Sequence, residues 1–444
     1  MRLLLLLFVV SRPTDAGFID PRTDPRAVLD ALEQHAPGRV TWEFLRPATL
    51  NALTQRLDDD TRPPVDILHF DGHGCFHQVS AKDAEQNPGR FGRSIQSEIQ
   101  RERLARGEPQ GDTPVGIGFL LFEKADGQSH LISAQDLGDN LFRTRVGLVV
   151  LSACQTAALD QGGDPMATVA GRLTATGIPA ILAMTHSVLA VTTRALFGLF
   201  YESLARGKGI ASALDDARAW LANNPEKFEV RRGDRRRMLT LQDWFLPALF
   251  HAGADAPLLT GDPAPVPPRA HNLRPAHEAG FFGRRRELWQ IERWLAGQTR
   301  RLSITGFGGQ GKTELAQEAG RWLLRAGLFA RAVFVDFSQV QSDDPLSVAV
   351  STIGAVLGET LADAAAAGRA LGTAPTLVIL DNLETIPHQG LAELLDAAAD
   401  WSAQGQTRLL LTSRTPDFNH PHYAIQGTRV HRRIALEGLG STND

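Results

Sequence analysis

The chain has 444 residues, which at about 150 residues per domain implies two or three domains. With 43% hydrophobic and 22% charged residues and a net charge of −4, it is excluded from the disordered polyelectrolytes. So even a charge balance gives no electrostatic reason to expect binding to nucleic acid or to an anionic membrane.

The opening run Leu3–Val10 is apolar but too short to span a bilayer, and Ser11-Arg12-Pro13 follows it without a small-residue cleavage site. It predicts a buried first strand. An amphipathic helix is expected over Pro25–Gln34, with Val28, Leu29 and Leu32 on one face. Val40, Trp42 and Phe44 alternate as a strand, and Leu50, Leu53 and Leu57 recur at helical spacing. Further strands are predicted at Val65–Phe70, Val146–Ser152 and Pro179–Met184, with a helix from about Met166 to Thr176 between the last two. Leu189, Thr193, Leu196, Phe197, Phe200 and Leu204 make the stripe of another helix. Strands that are apolar throughout and alternate with helices predict a parallel sheet covered on both faces. Residues 75 to 145 interrupt this alternation as an insertion. Within it, Ala125-Asp126-Gly127-Gln128 between Gly118–Phe122 and Ser129–Ser133 predicts a β-hairpin.

Pro257, Pro263, Pro265, Pro267, Pro268 and Pro275 then mark a segment expected to be extended and semi-rigid rather than packed. A second βα alternation runs from about Phe281 to the end, closing with a strand at Ile434–Leu439. No repeat of fixed period is present.

Two places carry chemistry. In the first, strand Val65–Phe70 runs into Asp71-Gly72-His73-Gly74, and strand Val146–Leu151 runs into Ser152-Ala153-Cys154-Gln155-Thr156. Functional groups gather beyond the carboxyl ends of parallel strands, so His73 and Cys154 are expected close together. His73 would generate the Cys154 thiolate. Gly72 and Gly74 would allow a tight turn, with the N–H groups of Gly74 and Cys154 forming an oxyanion hole. Cys75 reads as a pocket-rim or structural residue. A Cys75–Cys154 disulfide is disfavoured, because two cysteines in a chain of this size place it in a reducing cytoplasm.

In the second, Gly306-Phe307-Gly308-Gly309-Gln310-Gly311-Lys312-Thr313 follows the apolar strand Leu302–Ile304 and opens a helix from Glu314 to Leu324. Glycines let backbone N–H groups wrap phosphates at a helix N-terminus. Lys312, one of five lysines in the chain, would reach the β- and γ-phosphates, and Thr313 would ligate Mg²⁺. Asp381, ending the strand Thr376–Leu380, would join the Mg²⁺ shell. Glu384 either orients an attacking water or starts a helix. Arg414, just after the strand Arg408–Thr412, is placed to sense a γ-phosphate.

His69-Phe70-Asp71-Gly72-His73-Gly74 and Leu151-Ser152-Ala153-Cys154-Gln155-Thr156 resemble the CHAT domain, a bacterial caspase-like cysteine peptidase family. Similar stretches occur at Ser11–Asp20, from Val169 to Ala180, and at Asp243-Trp244, so the likeness covers about residues 1 to 252. The resemblance implies a His73–Cys154 catalytic dyad. Phe282-Gly283-Arg284, Gly306–Thr313, Leu380-Asp381-Asn382 and Leu411-Thr412-Ser413-Arg414 resemble the nucleotide-binding core of NB-ARC-type STAND ATPases, with Gly283 and Arg284 on the adenine side. That likeness implies ATP or ADP with Mg²⁺. The chain stops before the closing subdomains of that family, so a fragment or a separate sensor is expected.

The expected fold is α/β: a caspase-like parallel-sheet domain over 1–254, a proline-rich linker over 255–280, and an incomplete P-loop NTPase domain over 281–444. The expected function is a cytoplasmic cysteine endopeptidase coupled to an ATP-binding switch in bacterial signalling or defence. Two alternatives stay open: a signalling ATPase whose CHAT domain only docks partners, and a nucleotide-binding scaffold without catalysis. Expected partners are a protein substrate, a sensor or repeat protein, and further copies on activation. No membrane and no nucleic acid are expected. His69, His77 and His186 read as packed or exposed rather than metal-binding, because no ligand spacing completes a site. The basic run Arg231–Arg237 reads as an exposed loop.

Overall fold

A computed structural model of the chain describes residues 3–105, 107–108, 111–155, 165–174, 176–232, 235–260, 262–278, 280–338, 344–425 and 429–438. The chain divides into two compact units, Met1–Val266 and Pro267–Asp444. The division falls inside the proline-rich segment. That segment holds no named helix or strand, but it is not unpacked. Ala264 N–H donates to the Gly38 carbonyl at 2.7 Å in the first unit, while Asn272 bonds the backbone of Phe334 at both its N–H (2.7 Å) and its carbonyl (2.8 Å) in the second. Prolines lack the N–H for a ladder of their own, so the neighbouring non-proline residues make the attachments.

In the first unit the strands are β1 (Leu4–Val10), β2 (Val40–Phe44), β3 (Ile67–Val79), β4 (Val115–Glu123), β5 (Ser129–Ser133), β6 (Leu148–Gln155), β7 (Ala180–Met184), β8 (Glu226–Arg232), β9 (Arg235–Thr240) and β10 (Pro247–His251). The helices are α1 (Thr23–His35), α2 (Leu50–Leu57), α3 (Ala81–Gln86), α4 (Ile95–Ala105), α5 (Ala134–Leu141), α6 (Pro165–Thr174), α7 (Ala190–Ala205) and α8 (Ile210–Asn223). Among the described residues the main sheet runs β10-β7-β6-β3-β1-β2, parallel except for β10, with β4 attached antiparallel to β3 and β5 to β4. Strand β1 explains the layering. Leu5, Leu7 and Val9 enter one core with Leu53 of α2, Leu137 of α5 and Val169 of α6. Phe8 points the other way and stacks near His69, which also meets Phe197 and Tyr201 of α7. Period-two alternation between two apolar layers is what makes the sequence read as continuously hydrophobic.

Strand β3 departs from expectation. It does not end at Phe70 in a glycine turn but continues through Asp71-Gly72-His73-Gly74 to Val79. Up to Gly74 it runs parallel to β6, and from Gly74 to Val79 it pairs antiparallel with β4. The insertion supplies that second partner, and a paired strand is better satisfied than a turn with open backbone groups. The β4–β5 hairpin forms as read, with Gly127 at φ 85° and Gln128 N–H bonded to the Asp126 carboxylate at 2.9 Å. The basic run is also corrected. Arg231 and Arg232 end β8 while Arg235, Arg236 and Arg237 open β9, so these arginines form the arms of a hairpin rather than a loop. Alternation of Phe228 and Val230 with charged neighbours carries the strand signal that charge counting obscured.

The second unit has strands β11 (Arg301–Thr305), β12 (Arg331–Asp336), β13 (Thr376–Asp381), β14 (Arg408–Ser413) and β15 (His431–Ala435), and helices α9 (Arg285–Ala296), α10 (Lys312–Arg325), α11 (Pro345–Leu357), α12 (Ala364–Gly372) and α13 (His388–Ala403). The sheet is parallel, ordered β12-β13-β14-β11-β15. The last strand begins three residues earlier than the sequence suggested, since His431 is drawn in by bonds to the Tyr423 carbonyl (2.6 Å) and the Ser303 hydroxyl (2.8 Å). No helix among the described residues is long and apolar enough to cross a membrane.

Candidate functional sites

At the carboxyl end of the first sheet the parallel register of β3 and β6 sets His73 beside Cys154, and Asp71 beside Ser152. Neighbouring strands lie about 4.8 Å apart, so the register alone brings the two backbones of the dyad together. His73 is 1% exposed. Its Nε2 donates to the Gly17 carbonyl at 2.6 Å, which leaves Nδ1 as the lone-pair nitrogen of the neutral ring. Burial lowers the imidazole below its ordinary value, the Gly17 carbonyl opposes this, and the Arg12 charge adds to it. Gly74, proposed with Cys154 as an oxyanion donor, lies buried in the extended strand between Leu120 and Gln155 rather than in a turn. The residues 156–164 after the Cys154 strand lie outside the described residues.

The loop 11–20 holds features that residue types alone did not reveal. Arg12 is buried and places its guanidinium on both Asp71 carboxylate oxygens at 2.8 Å. A carboxylate beside the apolar strand Ile67–Phe70 was the available signal, because a buried Asp requires a partner. Below the dyad, the Ser152 hydroxyl donates to Asp24 at 2.5 Å and the Thr193 hydroxyl does so at 2.8 Å. Burial, reinforced by the Asp71 charge, pushes Asp24 up to about 7, against the two hydroxyls and Arg12. Between its ordinary 3.8 and that value the unfolded chain releases a proton that the fold retains. Stability therefore falls as pH rises through this window and levels off above it. Asp24→Asn, which keeps one acceptor oxygen and offers its amide N–H to the other hydroxyl as acceptor, should remove that slope and gain up to roughly 4 kcal/mol over the parent at pH 8, at 1.36 kcal/mol per unit. Urea unfolding at pH 4 and pH 8 checks this; a constant difference between variant and parent at the two values refutes it.

The loop leading into β10 is fastened too. Asp243 is buried, accepts from the Thr192 hydroxyl and pairs with Lys227 at 2.9 Å, while Trp244 and Phe245 stand exposed. His77 is half-buried and lies near Phe119, and His186 is exposed beside Thr185. No group of three or more potential metal ligands occurs among the described residues.

In the second unit, β11 feeds residues 306–311 and then α10. Gly309 (φ 79°) and Gly311 (φ 82°) hold left-handed backbone that a β-carbon would strain. Lys312 is buried and spans the loop, its Nζ donating to the carbonyls of Gly306 (2.9 Å) and Phe307 (3.0 Å). Thr313 donates to both Asp381 oxygens at 3.1 and 2.9 Å, and Thr412 donates to one of them. Asn382 links Asp381 (2.8 Å) to Asp336 (2.9 Å). Burial raises the Asp381 carboxyl above its ordinary value, the two hydroxyls oppose this, and the Asp336 and Glu384 charges add to it. The Thr313 hydroxyl and the Asp381 carboxylate are two hard oxygen donors of the kind Mg²⁺ takes, the rest of its shell being left to phosphate and water. Glu384 lies in a short 3₁₀ turn and holds Arg414 through its side chain (3.0 Å) and its N–H (3.2 Å). Arg414 also lies over Gly308, where an added β-carbon would sit 3.5 Å from its guanidinium carbon. Gly283 has φ 71°, and Arg284 reaches the carbonyl of Gln310 at 3.4 Å and that of Glu437. The structure thus gathers Gly306, Gly308, Gly309, Gly311, Lys312, Thr313, Asp381, Glu384, Arg414, Gly283 and Arg284 around one loop.

A family model described as CHAT domain matches residues 9–266. No curated protein matches the chain. A solved structure titled "Structure of C. elegans PCH-2" is similar at 12% identity and a TM-score of 0.26. It covers 34% of this chain, and the chain spans 42% of that structure's length, a likeness too slight to carry an argument.

Proposed function

This chain belongs to the CHAT domain family, whose members are related to caspase-like proteases, and from that premise we propose that residues 1–266 form a cysteine endopeptidase in a caspase-like fold, with Cys154 as nucleophile and His73 as its base. The observation that supports this best is the β3–β6 register, which pairs His73 with Cys154 at the carboxyl end of a parallel sheet. His73 Nδ1 takes the Cys154 proton, and the thiolate attacks the scissile carbonyl carbon, forming a C–S bond. The C–N bond then breaks as His73 returns the proton to the leaving amine. Water, deprotonated by the same nitrogen, hydrolyses the thioester and frees the thiolate. The backbone N–H groups of Gly74 and Cys154 are proposed to hold the oxyanion.

Removing a positioned base costs about 10²–10⁴-fold in rate, so His73→Ala should lower turnover by that order while leaving the fold intact. The buried ring also predicts a pH dependence. Since its conjugate acid forms only below the ordinary histidine value of 6.5, the acid limb of kcat/KM should fall below that pH. Cleavage of a peptide library from pH 4.5 to 8 by parent and variant tests both. Near-parental turnover in His73→Ala removes His73 from the mechanism.

We further propose that residues 267–444 bind ATP or ADP in an NB-ARC-type STAND arrangement. The contact of Thr313 with Asp381 beside the Lys312 loop favours this reading. Mg²⁺ bound there would neutralise phosphate charge. Lys312 would face the β- and γ-phosphates, Arg414 the γ-phosphate, and Gly283 and Arg284 the base side. The proposed setting is cytoplasmic bacterial signalling or defence, with a protein substrate, a sensor partner and association on activation.

A further inference from the structure

We propose that Arg12 is a positioning residue that seats the His73 imidazole, an inference that rests on the peptidase reading. Its guanidinium, a planar fork of five N–H donors, bonds to Asp71, to Ile19 and to the carbonyl of its chain neighbour Ser11. Nη2 meets both Asp71 carboxylate oxygens at 2.8 Å; Nη1 meets the carbonyls of Asp71 (2.7 Å) and Ser11 (2.9 Å); Nε meets the carbonyl of Ile19 (2.9 Å). The fork therefore joins the far side of the loop 11–20, at Ile19, to the strand position two residues before His73. Gly17 lies between those attachments, and its carbonyl receives the His73 Nε2–H at 2.6 Å. The Arg12 N–H is itself held by Glu123 of β4 at 3.0 Å, so the clamp ties three segments together.

The loop has other anchors. Ser11 bonds the Leu121 carbonyl (2.6 Å), Thr14 the Gly127 carbonyl (2.9 Å), and Asp15 the Ser129 N–H (2.9 Å). These fix its first half to the β4–β5 hairpin. Arg12 adds a bond in the second half, at Ile19, and ties that half to β3 through Asp71. Lysine cannot reproduce this, because an ammonium lacks the planar fork that serves a carboxylate and two carbonyls at once. A misplacement of about 1 Å in a catalytic group costs on the order of 10²-fold in rate.

The test compares the full chain with Arg12→Lys and Asp71→Asn. Steady-state cleavage of a peptide substrate gives kcat and KM. The imidazole N–H resonances of ¹⁵N-histidine-labelled protein report the bond to Gly17, with the His73 signal assigned by its loss in His73→Ala. The expected result is loss of that resonance together with a fall of about 10²-fold in kcat and a KM within about twofold, in variants that still unfold cooperatively. Persistence of the resonance in folded Arg12→Lys overturns the proposal, whether or not kcat falls. Should Arg12→Lys fail to fold, Asp71→Asn decides on the same two readouts. If the parent cleaves no peptide, the peptidase reading fails, and the resonance alone still decides whether Arg12 seats His73.

Discussion

Cys154→Ala should reduce peptidase turnover by roughly 10⁴-fold or more and abolish labelling by an electrophilic peptide, whereas Cys75→Ala should leave most of both. The contrast follows from where each cysteine stands. Cys75 is 7% exposed and packs with Val79, Ile99, Val115 and Phe119 in the separate core of the insertion. Burial pushes its thiol up to about 12, with the Arg90 charge opposing only part of that rise. A thiol of that acidity supplies almost no thiolate at neutral pH, and the thiolate is the nucleophile. Of the two earlier readings of Cys75, pocket rim or structural residue, the second is the one its packing fits. Cys154 instead lies near the end of β6, paired in register with His73. Intact-mass analysis after reaction with an acyloxymethyl-ketone peptide gives the answer. Labelling that survives Cys154→Ala and disappears in Cys75→Ala would reverse the assignment.

Lys312→Ala should weaken ATP binding by about 10- to 10²-fold, the range that one charge-assisted contact worth about 1.5–3 kcal/mol implies. Lys312 is directed across the loop by the carbonyls of Gly306 and Phe307, and on the proposed reading its ammonium would exchange those contacts for phosphate. Asp381→Ala should act differently. It removes the acceptor of the Thr313 and Thr412 hydroxyls but no group expected to touch phosphate directly. Affinity for metal-free nucleotide should stay within a few-fold, while any Mg²⁺-dependent hydrolysis should fall to background. Because Asp381 lies near Asp336 and Glu384, its removal also relieves like-charge repulsion, and the fold should survive. Calorimetric titration of both variants with ATP, with and without Mg²⁺, separates the two roles. Unchanged affinity in Lys312→Ala would remove the loop from nucleotide binding.

What the amino-acid sequence determined by itself was whatever rests on neighbours along the chain. Leu4–Val10 had to be a buried strand because every side chain in it is apolar on both faces. Asp126-Gly127 had to turn, because Gly127 takes a positive φ at no steric cost and the Asp126 side chain closes the bend. The stretch from Gly306 to Thr313 carried its strand, glycines, lysine and helix within a few residues. Tertiary structure decided whatever depends on a partner far along the chain. Arg12 and Asp71 are separated by 59 positions, and although Asp71 beside an apolar strand asks for a partner, nothing local names Arg12 as that partner. Burial turns the pair into a clamp, since neither charge can leave water without the other. Strand β3 runs past His73 because β4, brought back by the insertion, offers its backbone hydrogen bonds, and no property of Gly72 or Gly74 announces that. Cys75 became a core residue by the same extension. Arg284 reaches Gln310 only once α9 and the loop are folded side by side. Backbone torsion and hydrophobic period act over a few residues, whereas the strength of an ion pair, the acidity of a thiol and the end of a strand are set by what the fold brings beside them.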